Sequence, residues 1–420
     1  MPYLQVNWIR LLSGKNLTST RIQQQQQSKD HSINNYNQNQ PPDGGKVIRT
    51  TPFGEYDGNN TNLFFNGHSN CGSMTTMELT RLRCLSNIVK SQIEELNSLT
   101  TGLSTKDESF YRYSISVDMV VFTGTYSNIY FAYHQDHPEL MLIGRVYEPT
   151  AKINPRHSFY IKILKHLGKR HHSLIGTWDV FYDCNGRVVI FQEFALYGNM
   201  QEYIKQKNVF VPEAQMIEWA QQIYLGMDFL GDAGLCHRAI NPKHILLTSL
   251  TTSSDNLNNS KILAKLGSFR DAVVYYDSSG GDGNSISIHQ YRYQPCRPVD
   301  KRSDFPYHAP EVFGDPATEH YDPICADVWS FGATFFVASA RAYPCRYSEH
   351  RININNYKFF DSTPLTITNE IEKSIDGARN LSQDAKQWFK GLLCANVSQR
   401  TPFDKIESDP WYKTFQPQKQ

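Results

Sequence analysis

The chain has 420 residues, of which 40% are hydrophobic, and a formal net charge of +1. This length provides for one large domain or for two or three ordinary ones, and the small net charge gives no field that attracts nucleic acid or an anionic membrane. The eight cysteines are scattered without a Cys-x-x-Cys pair, which favours a reducing compartment over a disulfide framework or a zinc site. The sequence has no run of 18 apolar residues and therefore predicts no membrane-spanning helix.

The N-terminal segment 1–74 is rich in Gln, Asn and Ser, with a glutamine run at Gln23–Gln27. Such a composition does not bury enough apolar surface to offset the entropy of ordering the chain, so we predict a disordered tail.

The segment 75–104 has a different pattern. From Met77 to Leu99, leucines and a valine recur at steps of three and four residues, which predicts an amphipathic helix followed by a linker. Two interpretations stay open for this helix. It either binds a partner or forms a coiled coil, or it packs as an extra helix on the domain that follows.

Short β-type runs then predict three strands, a helix and two further strands. The strands are Tyr111–Val121, Asn128–His134, Leu140–Tyr147, Ile175–Tyr182 and Arg187–Gln192, and the helix is His157–Lys169. The turn Asp183–Gly186 is a strong hairpin signal between the last two strands.

After Glu193 the pattern becomes mostly helical. The predicted elements are helices at Met200–Lys207, Glu213–Gly231, Ala326–Ala340 and Leu381–Leu393, a strand at Lys261–Gly267, a polar hairpin tip at Thr248–Ser260 and a long loop at 270–306. Because Ala326–Ala340 is apolar on nearly all sides, we expect it to be buried. A short tail, 414–420, closes the chain.

Six landmarks, in this order along the chain, resemble those of protein kinases. Gly234–Leu247 resembles the catalytic loop, Ala264–Arg270 the strand leading into Asp-Phe-Gly, and Tyr307–Glu311 the Ala-Pro-Glu sequence. The others are Asp327–Gly332, Ser398–Pro402 and Asp409–Trp411. The chain is identified as a member of the protein kinase superfamily. The resemblance implies an α+β, bilobal protein-kinase fold over 105–413, with a small antiparallel β lobe containing one main helix (about 105–193) and a larger helical lobe (about 194–413).

The resemblance implies structural roles for a first set of residues. Glu311 is expected to pair with Arg400, and Asp327 to accept hydrogen bonds from the backbone of the 237–240 loop. A hydrophobic column is expected from Leu164, His237 and Phe269. Arg238 either receives a phosphorylated residue of the long 268–311 loop or simply braces the fold.

The residues that the family uses for phosphoryl transfer are replaced in this sequence. By the resemblance, Arg145 stands for the third-strand Lys, Tyr160 for the helix Glu and Ala239 for the base Asp. Asn241 stands for the Lys of the catalytic loop, His244 for the metal-binding Asn and Ser268 for the metal-binding Asp. Because imidazole and hydroxyl groups are poor Mg²⁺ ligands, we expect no metal site and no catalytic residue.

The nucleotide pocket that the resemblance implies is also altered. Only the middle glycine of the glycine-rich loop remains, Gly124, and Ile143 stands where the family has a small alanine. The residual pocket positions are Gly124, Ile129, Ile143, Gln192, Glu193 and Leu246. We expect no cofactor.

These replacements predict a pseudokinase that acts as a regulatory or scaffolding protein, in a pattern loosely like the calmodulin-dependent and Tribbles-like branches. Its partner would be an active kinase or a ubiquitin-ligase component, with no role for nucleic acid or membrane. The expected location is the cytoplasm, with the nucleus as an alternative. The alternative function is a divergent ATP-binding kinase or other transferase that uses displaced residues such as Asp271 or Arg145.

Overall fold

The computed structural model describes residues 91–99, 112–124, 126–138, 140–147, 155–183, 187–207, 210–249, 261–275, 305–313, 321–344, 352–353, 358–359 and 364–414. The predicted tail 1–74, the start of the predicted amphipathic helix, most of the 270–306 loop and the residues after 414 lie outside this part of the chain.

A five-stranded sheet in the order β1-β2-β3-β5-β4 forms the β part of the fold. The strands are β1 Tyr113–Thr123, β2 Ser127–His134, β3 Leu142–Tyr147, β4 Thr177–Tyr182 and β5 Val188–Glu193. β1 and β3 each pair antiparallel with β2. Most of the sheet belongs to the first of two compact units, whereas 177–180 and 192–193 group with the second.

Strand β1 is strongly bulged against β2. Ser116 faces Phe131 but Val120 faces Tyr130, so three residues of β1 have no opposite partner at this point. A second register shift follows between Val120 and Phe122. Because bulges bend a strand and redirect its side chains, Val117 and Phe122 end up 50% and 57% exposed.

Aromatic rings fill the core of the first unit. The ring of Tyr113 stacks on that of Phe191, with 4.1 Å between the centroids. A β-carbon at Gly144 would lie 3.1 Å from Ile115 and 3.4 Å from Phe191, so glycine permits β3 to approach this cluster.

The second unit is mainly helical, and it contains α2, which the sequence analysis assigns to the small lobe. Its helices are α1 at 91–98, α2 Pro155–Leu167, α3 Met200–Lys207, α4 Glu213–Asp232, α5 Pro323–Ala340, α6 Pro364–Asp376, α7 Gln383–Leu392 and α8 Pro410–Lys413. Short antiparallel pairs join β6 Leu235–Cys236 to β9 Val273–Val274, β7 Ile245–Ser249 to β8 Ile262–Leu266, and β10 Ile352–Asn353 to β11 Lys358–Phe359. The 3-10 turns are Phe269–Asp271, Phe305–Tyr307, Pro310–Phe313 and Phe403–Ser408.

Helix α5 is the buried centre of this unit. It begins three residues before the predicted Ala326, because the Asp322 carboxylate caps it by accepting from the backbone N–H groups of Ile324 and Cys325. Among the described residues α5 is the one helix long and apolar enough to cross a membrane, with a mean hydropathy of 1.2. Its 78% burial inside the protein is typical of a core helix, which passes the same test.

Helix α7 packs closely on α5. A β-carbon at Gly332 of α5 would lie only 2.8 Å from the β-carbon of Leu392 in α7. Phe331 and Phe389 contribute fully buried rings to this contact region. Helix α6, between β11 and α7, is not among the elements predicted from the sequence.

Candidate functional site

The loop after β6 is anchored to α5 by a buried carboxylate. Asp327 accepts hydrogen bonds from the backbone N–H groups of His237 at 2.7 Å and Arg238 at 2.8 Å. Burial raises the pKa of Asp327 to about 7, while these two N–H groups and the Arg238 charge act in the opposite direction. The predicted link between Asp327 and this loop is therefore present in the structure.

The imidazole of His237 connects the loop after β6 to Gly267, the residue before Ser268. Its Nε2–H donates to the Gly267 carbonyl at 2.8 Å, and its Nδ1 accepts from the Ala239 N–H at 3.3 Å. Burial lowers the pKa of His237 to about 4, so the ring is neutral at ordinary pH. Its edge-to-face contact with Phe269 has 5.6 Å between centroids, and the 3-10 turn at Phe269 packs on α2, where Leu164 is fully buried.

The carbonyl of Ala239 is the centre of a second hydrogen-bond group. It accepts from His244 Nδ1 at 2.6 Å and from Asn241 Nδ2 at 3.2 Å. The other amide atom, Asn241 Oδ1, accepts from the Lys243 N–H at 2.9 Å. Three predicted site residues thus come together, but they bind the loop's own backbone.

Ser268 lies in a left-handed backbone conformation, with φ of 65° and ψ of 55°, and its side chain is exposed. It makes no side-chain capping bond to the 3-10 turn that follows. Asp271 ends that turn and lies close enough to His237 for its charge to favour the protonated ring. Within the described residues, no three His, Cys, Asp or Glu side chains form a cluster suited to a metal ion.

At the end of β5, the carboxylate of Glu193 is held by Lys265 of β8. The two are 2.7 Å apart, and Glu193 also accepts weakly from the Gly176 N–H at 3.4 Å. Sequence reasoning missed this pair, although the alternation of β8 carries a signal. Ala264 and Leu266 are buried, so Lys265 between them faces the other way, opposite Leu246 of β7.

Gln192, the residue before Glu193, is buried and donates from Nε2 to Thr177 Oγ1 at 3.1 Å. Leu246 lies against Gly267, where a β-carbon would meet it at 3.2 Å. This close approach explains why glycine stands directly before Ser268.

In the first unit, the remaining loop glycine is engaged by the β1–β2 hairpin. The Gly124 N–H donates to the Ser127 carbonyl at 3.1 Å. The ring of Phe122 lies over this glycine, 3.0 Å from the position that a β-carbon would take. A glycine-rich loop binds phosphate through backbone N–H groups that have no other partner. The N–H of Gly124 already has a partner, the Ser127 carbonyl, and is therefore not available to a phosphate.

Arg145 of β3 pairs with Ile129 of β2, and Ile143 pairs with Phe131. Both Ile143 and Ile129 are half-buried in the sheet. The Nε atom of Arg145 is buried and has no hydrogen-bond partner among the described residues. Tyr160 is buried on α2, in the second unit.

The expected Glu311–Arg400 pair is present, and its geometry is bidentate, with distances of 2.6 and 2.9 Å. Arg400 also donates to the carbonyls of Cys394 and Cys325, and its guanidinium lies over the Trp329 ring at 5.1 Å. Arg238 donates from Nε to the Tyr321 hydroxyl at 2.8 Å.

Fold and loop architecture together define the protein kinase class, and residues 116–412 match the family model "Protein kinase domain". The chain belongs to this family.

Three known relatives show the range of similarity. Serine/threonine-protein kinase SRK2G of Arabidopsis thaliana is 25% identical over 279 residues, or 66% of this chain and 67% of that protein. Testis-specific serine/threonine-protein kinase 4 of Homo sapiens is 24% identical over 316 residues, or 73% and 84%. Calcium/calmodulin-dependent protein kinase type 1 of Macrobrachium nipponense is 21% identical over 291 residues, or 69% and 72%.

Proposed function

We propose that this protein is a pseudokinase, a kinase-fold protein without phosphotransferase activity that regulates or scaffolds other proteins. The observation that carries the proposal is the hydrogen bond from His244 Nδ1 to the Ala239 carbonyl at 2.6 Å. The side chain at the metal-ligand position is thereby bound to the backbone at the position of the catalytic base.

The residues present do not fit a Mg²⁺ ion. Mg²⁺ requires near-octahedral oxygen ligands, usually carboxylates and waters. His244 offers an imidazole that is already hydrogen-bonded, and Ser268 offers a neutral hydroxyl. The N–H of Gly124, the one glycine kept in this loop, already donates to the Ser127 carbonyl. Phosphoryl transfer depends almost entirely on such positioning and charge stabilisation, so no step of it is supported here.

What is retained supports a binding role. The Asp327 carboxylate, the neutral His237 ring and the Glu311–Arg400 pair hold the loop and the core through contacts within the protein itself. The protein thus keeps a stable kinase-type surface, for which a protein partner is the natural ligand. An active kinase or a ubiquitin-ligase component in the cytoplasm or nucleus remains our proposed partner class.

A thermal-shift titration of the full chain with ATP, with and without Mg²⁺, tests the nucleotide part of the proposal. A ligand present at one hundred times its Kd stabilises the folded state by about 2.7 kcal/mol. We expect no saturable shift in either condition. A saturable shift that requires Mg²⁺ would contradict the proposed loss of the metal site.

The competing function is a divergent transferase, favoured by the proximity of Asp271 to His237 and by relatives named as serine/threonine kinases. Incubation with ATP labelled on the γ-phosphate separates the two functions. We expect no incorporation into the chain or into a generic protein substrate. Incorporation that disappears in Asp271→Asn but persists in Asp384→Asn, a change at an exposed position of α7, would establish the transferase instead.

The partner class is tested by co-purification of the full chain from cells, with quantification of the proteins retained. We expect a protein kinase or a ubiquitin-ligase subunit among the enriched proteins, in amounts unaffected by ATP. Retention of no protein above background would remove the support for a scaffolding role.

A further inference from the structure

Helix α1 at 91–98 lies against the side of α2 and the turn after it. Lys162 Nζ donates to the Asn97 carbonyl at 3.2 Å. Arg170 forms a bidentate pair with Glu95, with one contact at 3.3 Å, and its guanidinium also reaches Gln92. The short segment thus contacts the core by main-chain and side-chain bonds at separate points.

The contacted positions lie on one side of α2. Lys162 and His166 are four residues apart and therefore share a face, and Arg170 lies three residues after the end of α2 at Leu167. We call Lys162, His166 and Arg170 the outer face of α2. Two side chains of α1, Ile93 and Leu96, are 5% and 0% exposed, so α1 buries apolar side chains as well as making charged contacts.

The opposite side of α2 faces the core. Tyr160 and Leu164 are also four residues apart, and both are buried. Helix α2 also packs on the 3-10 turn Phe269–Asp271, next to Ser268. Helix α2 is therefore covered on two sides, and a movement of its outer face would reach the turn that carries Phe269.

Charges at the contact are complementary. The hydrogen bond from Arg170 is the main reason that the pKa of Glu95 is lowered, and His166 adds to this effect. His166 is 1% exposed, with Nδ1 3.8 Å from the Glu95 carboxylate. Neither of its ring nitrogens has a hydrogen-bond partner within the described part of the chain. Because burying a polar ring without a hydrogen bond costs free energy, the other contacts of α1 must offset this cost.

We propose that the outer face of α2 is a helix-docking surface, and that the chain's own helix α1 occupies it and fixes the position of α2. Family members hold this helix from the core side by a Lys–Glu pair. Tyr160 has no carboxylate, so no such pair forms at that position. In this protein the restraint acts from the outer face, through Glu95, Arg170 and the buried Leu96.

A charge-reversal series in the full chain tests the restraint. In Glu95→Arg, repulsion of Arg170 should release α1, and the amides of α2 and of the 3-10 turn Phe269–Asp271 should exchange hydrogen roughly tenfold faster. The matched control is Glu94→Arg, which makes the same charge change on an exposed neighbour and should leave this exchange unchanged. Combining Glu95→Arg with Arg170→Glu restores complementary charges and should restore slow exchange.

A purely structural contact would give a different result. Equal acceleration of exchange throughout the second unit, or no rescue in the double variant, would overturn the proposal. The series contains neither nucleotide nor metal, so its outcome is independent of whether the protein transfers phosphate.

A peptide with the sequence of residues 77–99, carrying a fluorescent label, tests the docking surface itself. We expect it to bind Leu96→Asp and Glu95→Arg full-length protein, whose own helix is displaced, and not the wild-type chain, whose surface is occupied. A peptide carrying Glu95→Arg should bind only when the protein carries Arg170→Glu. If neither variant binds the wild-type peptide, the outer face of α2 is not a helix-docking surface. If Leu96→Asp fails to fold, Glu95→Arg decides the question alone.

Discussion

Two ionisable side chains that are buried in the loop region respond to pH in opposite directions. The pKa of His237 is lowered to about 4, so its contribution to stability is complete above its unfolded value of about 6.5 and is lost as the pH falls through that window. The pKa of Asp327 is raised to about 7, so its contribution is complete below the unfolded value and is lost as the pH rises towards 7.

Replacing His237 with Phe separates these two contributions. The variant keeps a ring beside Phe269 but has no proton to gain on unfolding. Between pH 7.5 and pH 5, we expect the advantage in unfolding free energy of the wild type over His237→Phe to shrink by about 2 kcal/mol, at 1.36 kcal/mol per pKa unit. Urea unfolding at several pH values measures this difference, and an advantage that grows on acidification would contradict it.

The buried ion pair between Glu311 and Arg400 leads to a second prediction about single residues. Glu311→Ala leaves the Arg400 guanidinium, which is 1% exposed, without its carboxylate, and should lower the unfolding free energy by about 3–5 kcal/mol. As a control, Glu202→Ala removes the exposed pair with Lys205 and should cost less than about 0.5 kcal/mol. Equal losses of unfolding free energy in the two variants would show that burial does not determine how much an ion pair contributes to stability.

Several of these residues were predictable from sequence because each stands at a fixed place in an ordered set of landmarks. Asp327, Glu311 and Arg400 are of this kind. The bonds between His244 and the Ala239 carbonyl, and between Gly124 and Ser127, were not predictable. They depend on which nearby backbone atom a replaced side chain finds once the loop is folded.

At the scale of elements, helix starts and close contacts depend on single side chains. Helix α5 begins at Pro323 rather than Ala326, because apolar periodicity does not register a cap at Asp322. The bulges of β1 escaped prediction for a similar reason, since its partner's register is not encoded in the alternation of one strand. The order of the main strands and helices was predictable, since their periodic patterns are long.

The contact between α5 and α7 gives a prediction that opposes helix propensity. Gly332→Ala places a β-carbon 2.8 Å from that of Leu392, so overpacking of about 1–3 kcal/mol should exceed the gain of about 1 kcal/mol from replacing a helical glycine. Gly231→Ala in α4 meets nothing within 4 Å and should be neutral or stabilising. Chemical denaturation of both variants measures the contrast, and a stabilised Gly332→Ala would refute the close packing.

For the whole molecule, the replaced residues predict that thermal stability does not depend on divalent metal. The midpoint of thermal unfolding should be the same in EDTA as in millimolar MgCl₂, because His244 and Ser268 do not provide the oxygen ligands that Mg²⁺ needs. Differential scanning calorimetry of the full chain measures this directly. A midpoint that rises with MgCl₂ and saturates would reveal a metal site.

The class of the fold was accessible from sequence at this scale, because the landmarks follow one another in the order of a kinase domain and the matched region spans 116–412. The grouping of α1 and α2 into the second unit was not accessible. Periodicity identifies an amphipathic helix but not the surface that covers its apolar side. Both interpretations of the 77–99 helix were therefore consistent with its pattern, and the structure places its described end, 91–98, against α2.

The apolar character of helix α5 affects how folded protein is lost irreversibly after unfolding. Most of its 18 residues, from Pro323 to Ala340, are apolar, and the native fold keeps them largely from solvent. When the chain opens, these apolar side chains are exposed and can associate with other copies, so aggregation competes with refolding. The practical lifetime of the protein on heating is then set by the rate of opening, as in other kinetically stabilised proteins, and not by its equilibrium stability alone.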